Sequence, residues 1–203
     1  MQAKLRRAGR LFVLLSAVCV ALVIAYGAFI KWEFPYGWSH CCDKQLMFAL
    51  HQYAEDHNGA YPAGESSPEA SLSLLYPKYA DAYLLRGKTV PWEKAQSLLE
   101  AGQKLGPDSC SWHYVEGLRL DDDGRLALFW DKLGLGHNGQ RNPDGGAWVY
   151  FINFDSHYVS GSEWPAFLAD QERLKAAALK KRQKLSQKAR GDGGAVRNEG
   201  AAP

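Results

Sequence analysis

Asp121, Asp122, Asp123 and Gly124 place three carboxylates in consecutive positions of one tight turn. Hard oxygen ligands grouped in this way suit calcium, although the run lacks the alternate-position spacing of an EF-hand loop. Asp and Gly are also the residues that hairpin turns favour, so a solvated turn competes with a calcium site here. Six histidines offer imidazole for metal binding or proton transfer. His51 and His57, six apart on one predicted helix, fall on different faces and cannot act as a joint ligand pair. His113 and His157 are single residues in predicted strands, and His137 sits in a glycine-rich loop that follows Asp131. Ser111, His113 and Asp108 have the residue types of a hydrolase triad. No Gly-x-Ser-x-Gly, His-Glu-x-x-His or Walker loop accompanies them, so ordinary strand and loop histidines are expected, with no catalytic residue.

The elements that must position these groups begin at a membrane. Residues 11–30 hold no side chain charged at pH 7. At about 1.5 Å per helical residue such a run spans roughly 30 Å, the hydrocarbon thickness of a bilayer. It is longer than a secretory h-region, and Phe29, Ile30, Lys31 and Trp32 make a poor signal-peptidase site, so an uncleaved anchor is expected. Lys4, Arg6, Arg7 and Arg10 precede the run without an acid, which places the N-terminus in the cytoplasm. Trp32, Phe34, Tyr36 and Trp38 follow it, where amphipathic rings favour the headgroup layer. Residues 1–10 then form a basic cytoplasmic segment, 11–30 the transmembrane helix, and everything from about residue 40 is extracytoplasmic.

Charge is partitioned along the chain. Residues 31–170 carry 11 basic and 19 acidic side chains, whereas residues 171–203 carry 9 basic and 3 acidic ones. An acidic folded part repels phosphate, so nucleic acid is excluded as a partner. The basic C-terminal end suits anionic lipid or an acidic envelope polymer. In an oxidising space Cys41, Cys42 and Cys110 predict a disulfide from Cys110 to Cys41 or Cys42, leaving one thiol free, since a vicinal bridge is sterically awkward. No Cys-x-x-Cys supports a zinc site. Trp112, Trp130, Trp148 and Trp164 fall in or beside predicted core elements, so packing is their expected role. A ring face for stacking on a glycan is the sharper alternative.

The pattern predicts an α+β domain over 31–170. A helix capped by Ser39 runs to about His57 with Leu46, Leu50 and Tyr53 on one side, and Asn58 and Gly59 close it. Ser67 and Pro68 start a short helix, and a further helix near 92–101 carries Trp92, Ala95, Leu98 and Leu99. Strands are predicted over 112–115, 125–130, 147–152 and 157–159, an antiparallel sheet of about four strands. Ser162 caps a final helix with Trp164, Phe167, Leu168 and Leu174 on its apolar side. Its end and the tail, 171–203, read as a basic helix end followed by disorder from about 191.

An apolar helix, then an amphipathic helix that ends in Tyr53-Ala54-Glu55-Asp56-His57-Asn58-Gly59-Ala60-Tyr61-Pro62, then a small antiparallel sheet resembles the pseudopilins and prepilin-like proteins of type II secretion. Cys42-Asp43-Lys44-Gln45-Leu46-Met47-Phe48-Ala49-Leu50 is similar to their Cys-x-x-Asn-Leu run. The loop from His137 and the strands flanking Asp155-Ser156 are similar to their C-terminal pattern, with Ser156 where the family has Gly. The resemblance implies a pilin-like fold, a structural role among other pilin-like or secretion-system subunits, and an address in the bacterial inner membrane. It also implies prepilin cleavage after Gly9 and calcium in a C-terminal loop. At the fifth position after Gly9 this chain has Leu14, where the family has a glutamate that pairs with a neighbouring subunit's amine.

Overall fold

The fold is described from a computed structural model covering residues 2–38 and 43–194, with side chains described over 9–38 and 43–188. An apolar run with no polar face has no reason to bend back onto a protein core. Helix α1, Gln2–Glu33, accordingly leaves residues 9–29 exposed and touches the rest of the protein at its C-terminal end. Within its portion Gly9–Glu33 an 18-residue window reaches a mean hydropathy of 2.6, and none of that window is buried. A single helix of this kind fits a membrane anchor. Pro35 and Gly37 stop it, and Gly37 adopts φ +82°, a conformation open to glycine. Phe34 and Trp38 stack across the break at 4.8 Å.

Helix α2, Asp43–Asp56, carries the next stretch, and the predicted Ser39 cap lies outside the described residues. Leu46, Leu50 and Ala54 are fully buried along one face. Each buried leucine contributes about 1.5–3 kcal/mol of transfer free energy. Asn58 at φ +55° and Gly59 at φ +82° close the helix as their residue types predict. Ser67 caps α3, Pro68–Leu72, by accepting the Ala70 N–H, and a 3-10 turn Ser73–Leu75 follows. Helix α4, Ala82–Leu85, is not legible in the pattern, because four residues are too short for a period. Asp81 caps it through the Leu84 N–H. Helix α5, Trp92–Glu100, buries Ala95 and Leu99, whereas Trp92 is turned outward and 43% exposed, against expectation.

Strands β1 (Trp112–Tyr114), β2 (Ala127–Asp131), β3 (Ala147–Phe151) and β4 (Ser156–Val159) form one antiparallel meander in sequence order. Arg125, predicted inside a strand, lies in the preceding turn instead. There Asp123 accepts both the Arg125 backbone N–H and its guanidinium, and these local bonds compete with ladder pairing. One sheet face, with Trp112, Tyr114, Leu128 and Tyr150, packs under α2 to α5. The other, with Trp130, Val149, Phe151 and Val159, is covered by the first turns of α6, Trp164–Gly194. Before α6 the Ser160 backbone N–H and its hydroxyl both donate to the Glu163 carboxylate, and Ser162, the predicted cap, bonds the Ser160 hydroxyl. Helix α6 continues to Gly194, past the expected onset of disorder, since lengthening an existing helix costs little per residue. Residues 195–203 lie outside the described residues.

The sheet has an anchor-proximal and an anchor-distal end. Arg141, in the loop before β3, binds the C-terminus of α1: its N–H donates to the Glu33 carbonyl at 2.8 Å and its Nε to the Trp32 carbonyl at 3.2 Å. Strand β3 therefore starts near the anchor and runs outward, and α6 runs outward beside it. Trp164 packs on Trp130, Gln171 binds the Ala127 N–H, and Arg182 reaches the Gly117 carbonyl.

Candidate functional site

The most constrained polar groups lie at the anchor-proximal end, between α2 and the sheet. Asp43, in the first turn of α2, and Lys88, after α4, form an ion pair at 2.8 Å with both side chains 1% exposed. The Tyr150 hydroxyl donates to the same carboxylate oxygen, Oδ2, at 2.9 Å, while Oδ1 is buried without a partner. Lys88 Nζ also donates to the Leu135 carbonyl and sits 5.3 Å over the Trp112 ring. His137 stands at the rim with Nδ1 4.0 Å from Asp43.

A second buried carboxylate completes the cluster. Asp131 accepts N–H bonds from Leu133 and Leu135 and the Ser111 hydroxyl, and its burial raises its pKa above the ordinary carboxylate value. Ser111 in turn accepts the Lys88 N–H at 2.7 Å. Gly87 makes this approach possible: it adopts φ +75°, and a Cβ there would overlap the Ser111 hydroxyl. Nothing in the sequence announces these residues, since Asp43, Lys88 and Tyr150 are separated by 45 and 62 positions. The cluster locks α2 and the α4–α5 connection onto β2 and β3. Ser111 is thereby committed to Asp131, His113 stacks on Trp130 at 4.0 Å, and no bond joins either of them to Asp108 as a triad requires.

His51 and His57 do lie on different faces. His57 is exposed, whereas His51 is buried with Nδ1 2.8 Å from the Met47 carbonyl. Its Nε2 lies 2.8 Å from the Ile152 carbonyl and 2.9 Å from the Tyr61 hydroxyl. The ring is a tie between α2 and the β3–β4 turn, where Phe154 packs over it with φ +66°. His157 is exposed in β4, 3.9 Å from Asp155.

Each carboxylate of the acidic turn faces a guanidinium. Asp121 pairs with Arg119 at 3.2 Å, Asp122 with Arg182 at 3.5 Å, and Asp123 with Arg125 at 2.7 Å. The Arg125 hydrogen bonds lower the Asp123 pKa to about 2. Among the described residues no group of three or more His, Cys, Asp or Glu is arranged to hold a metal ion. Cys110 is a buried free thiol whose pKa burial pushes up to about 12. Its two expected disulfide partners, Cys41 and Cys42, lie outside the described residues.

Trp112 and Trp130 are buried as expected, but Trp148 is 40% exposed. Trp130 and Trp164 line a cleft of about 410 Å³ between the sheet and α6, with His113, Val115 and Leu168 on its walls and Glu172 and Lys175 at its rim. Burial and the Lys132 and Lys175 ammonium groups lower the His113 pKa. Compared with protein-family models, curated proteins and solved structures, the chain matches none of them.

Proposed function

We propose that the chain is a non-catalytic, single-pass protein of the bacterial inner membrane, with its N-terminus in the cytoplasm and a pilin-like domain outside. It serves as a structural or assembly component of a type II secretion-like or pilus-like system. The observation that carries this reading is the path of the chain. An exposed apolar helix leads through Pro35 and Gly37 into a helix whose inner face is buried on a four-stranded antiparallel meander. Such a molecule works by packing: anchors against one another in lipid, outer domains against their neighbours, with no bond made or broken. Intact mass of the protein extracted from its own membranes tests the reading. Loss of residues 1–9 is expected of a processed fibre subunit, and a full-length mass removes that role and leaves a permanent anchor.

The cleft of Trp130 and Trp164 favours one alternative, a membrane-anchored module that binds a glycan, because aromatic walls with a polar rim suit sugar rings. Retention of the full chain on polysaccharide, lost in Trp164→Ala, is its expected signature. Retention equal in the two proteins removes it.

A further inference from the structure

The end of the domain nearest the anchor is both rigid and open. Arg141 holds the last carbonyls of α1, yet its terminal nitrogens, Nη1 and Nη2, meet no acceptor among the described residues, and the residue is exposed. The loop that carries it keeps one shape through bonds of its own. Gly136 donates its N–H to the Gln140 carbonyl at 2.8 Å, and the Asn142 amide ties the Gly134 and Gly146 carbonyls together. Gly134, at φ +65°, lets the Gly146 carbonyl approach where a Cβ would overlap it. Two large apolar side chains stand open at the same end. Leu133, just past the anchor-proximal end of β2, is 56% exposed, and Trp148, at the start of β3, is 40% exposed. Neither belongs to a core cluster.

We propose, resting on the anchor reading above, that this end of the domain docks on its own bilayer and that Arg141 binds the phosphate of a phospholipid headgroup. Depth commits the surface to lipid. With residues 11–30 in the hydrocarbon, Trp32 and Glu33 are the second and third residues beyond Ile30, about 3–4.5 Å past its edge in a helix along the normal. The headgroup layer is roughly 5–7 Å deep on each side of the bilayer. A guanidinium bonded to the Trp32 carbonyl therefore sits inside that layer, at the level of the phosphates. Its Nε serves α1, and Nη1 and Nη2 form a fork that fits two oxygens of one phosphate. The Trp32 ring lies 6.0 Å from the same guanidinium and is of a type that favours this layer. This end carries both signs, Lys31 and Arg141 with Glu33 and Asp144, so the contact selects a phosphate at one position rather than a net anionic surface. Leu133 and Trp148 add apolar area between the headgroups. Because the loop is already rigid, docking orders little of the chain, and a domain held at two points on the membrane keeps one orientation towards its neighbours.

The test uses the full chain in phosphatidylcholine nanodiscs, with photoreactive benzoylphenylalanine placed at Leu133 or Trp148, and at exposed Phe154 in the outward β3–β4 turn as the control. Irradiation should give lipid adducts at Leu133 and Trp148 and none at Phe154, read from peptide masses. Arg141→Gln keeps an amide for the Trp32 carbonyl and removes the phosphate fork. It should shift docking about tenfold towards the lifted domain, the fold-change of one lost hydrogen bond to a charged group, and the adducts should fall with it. The parent in discs of galactosyl diacylglycerol, a lipid without phosphate, should lose adducts to the same extent. Circular dichroism melts of each variant separate lost docking from lost folding. Adduct yields at Leu133 and Trp148 no higher than at Phe154, in protein that stays with the discs, overturn the docking and spare the anchor, whereas protein that leaves the discs overturns both. Adducts unchanged by Arg141→Gln or by the galactolipid overturn the phosphate site. Adducts to a second copy of the chain in place of lipid make that copy the occupant and overturn the proposal.

Discussion

Replacing Lys88 by methionine keeps an unbranched side chain one atom shorter and removes its charge, leaving Asp43 in a site where its side chain is 1% exposed. Oδ1 already lacks a partner, and Oδ2 would retain only the Tyr150 hydroxyl. Removing one partner of a buried pair costs about 3–5 kcal/mol, chiefly the burden of an uncompensated charge. For a folded domain of this size that corresponds to a fall in Tm of roughly 10–20 °C, at about 3–5 °C per kcal/mol. Asp43→Asn/Lys88→Met removes both charges and keeps an acceptor for Tyr150, so it should recover most of that loss. Thermal unfolding of the full chain in nanodiscs, followed by near-ultraviolet circular dichroism of buried Trp112, reads both proteins. A single variant that melts within about 3 °C of the parent, or a double variant no more stable than the single one, refutes the reasoning.

The acidic turn and the buried thiol give further tests. Arg125 holds Asp123 ionised down to about pH 2, so the stability from this pair is present above the ordinary 3.8 and lost as pH falls towards 2. Carboxyl NMR of Arg125→Ala should show Asp123 titrating near its ordinary value, with only a small change in stability because the pair is largely exposed. With Asp121, Asp122 and Asp123 each facing an arginine, millimolar calcium or a chelator should leave the Tm of the folded domain unchanged, and a rise of several degrees with calcium would restore the metal site. Cys110, buried and with its thiol pushed up to about 12, should resist alkylation in the folded protein and react in denaturant without reductant. Failure to react until a reductant is added would show the bridge to Cys41 or Cys42 instead.

Elements with a long period or a strong local signal are legible in the amino-acid sequence. Residues 11–30 declare a helix apolar enough to cross a membrane because every side chain lacks charge, and Asn58-Gly59 and Ser67-Pro68 declare helix ends because they answer a local backbone need. Four strands are legible from their apolar and aromatic runs, within one or two residues at each end. The site is another matter. Arg119, Arg125 and Arg182 neutralise the acidic turn, and the last of these arrives from sixty positions away. Asp43, Lys88, Ser111, Asp131 and Tyr150 carry no spacing signal, because what joins them is the stacking of α2 on the sheet. Trp92 and Trp148 have the character of core residues and are turned outward, since burial depends on which face a neighbour covers. Local pattern determines which segments are helix, strand or anchor. Which charges meet, and which direction the basic helix points, is decided only when the segments pack, because Coulomb and desolvation energies depend on distance in space and not along the chain.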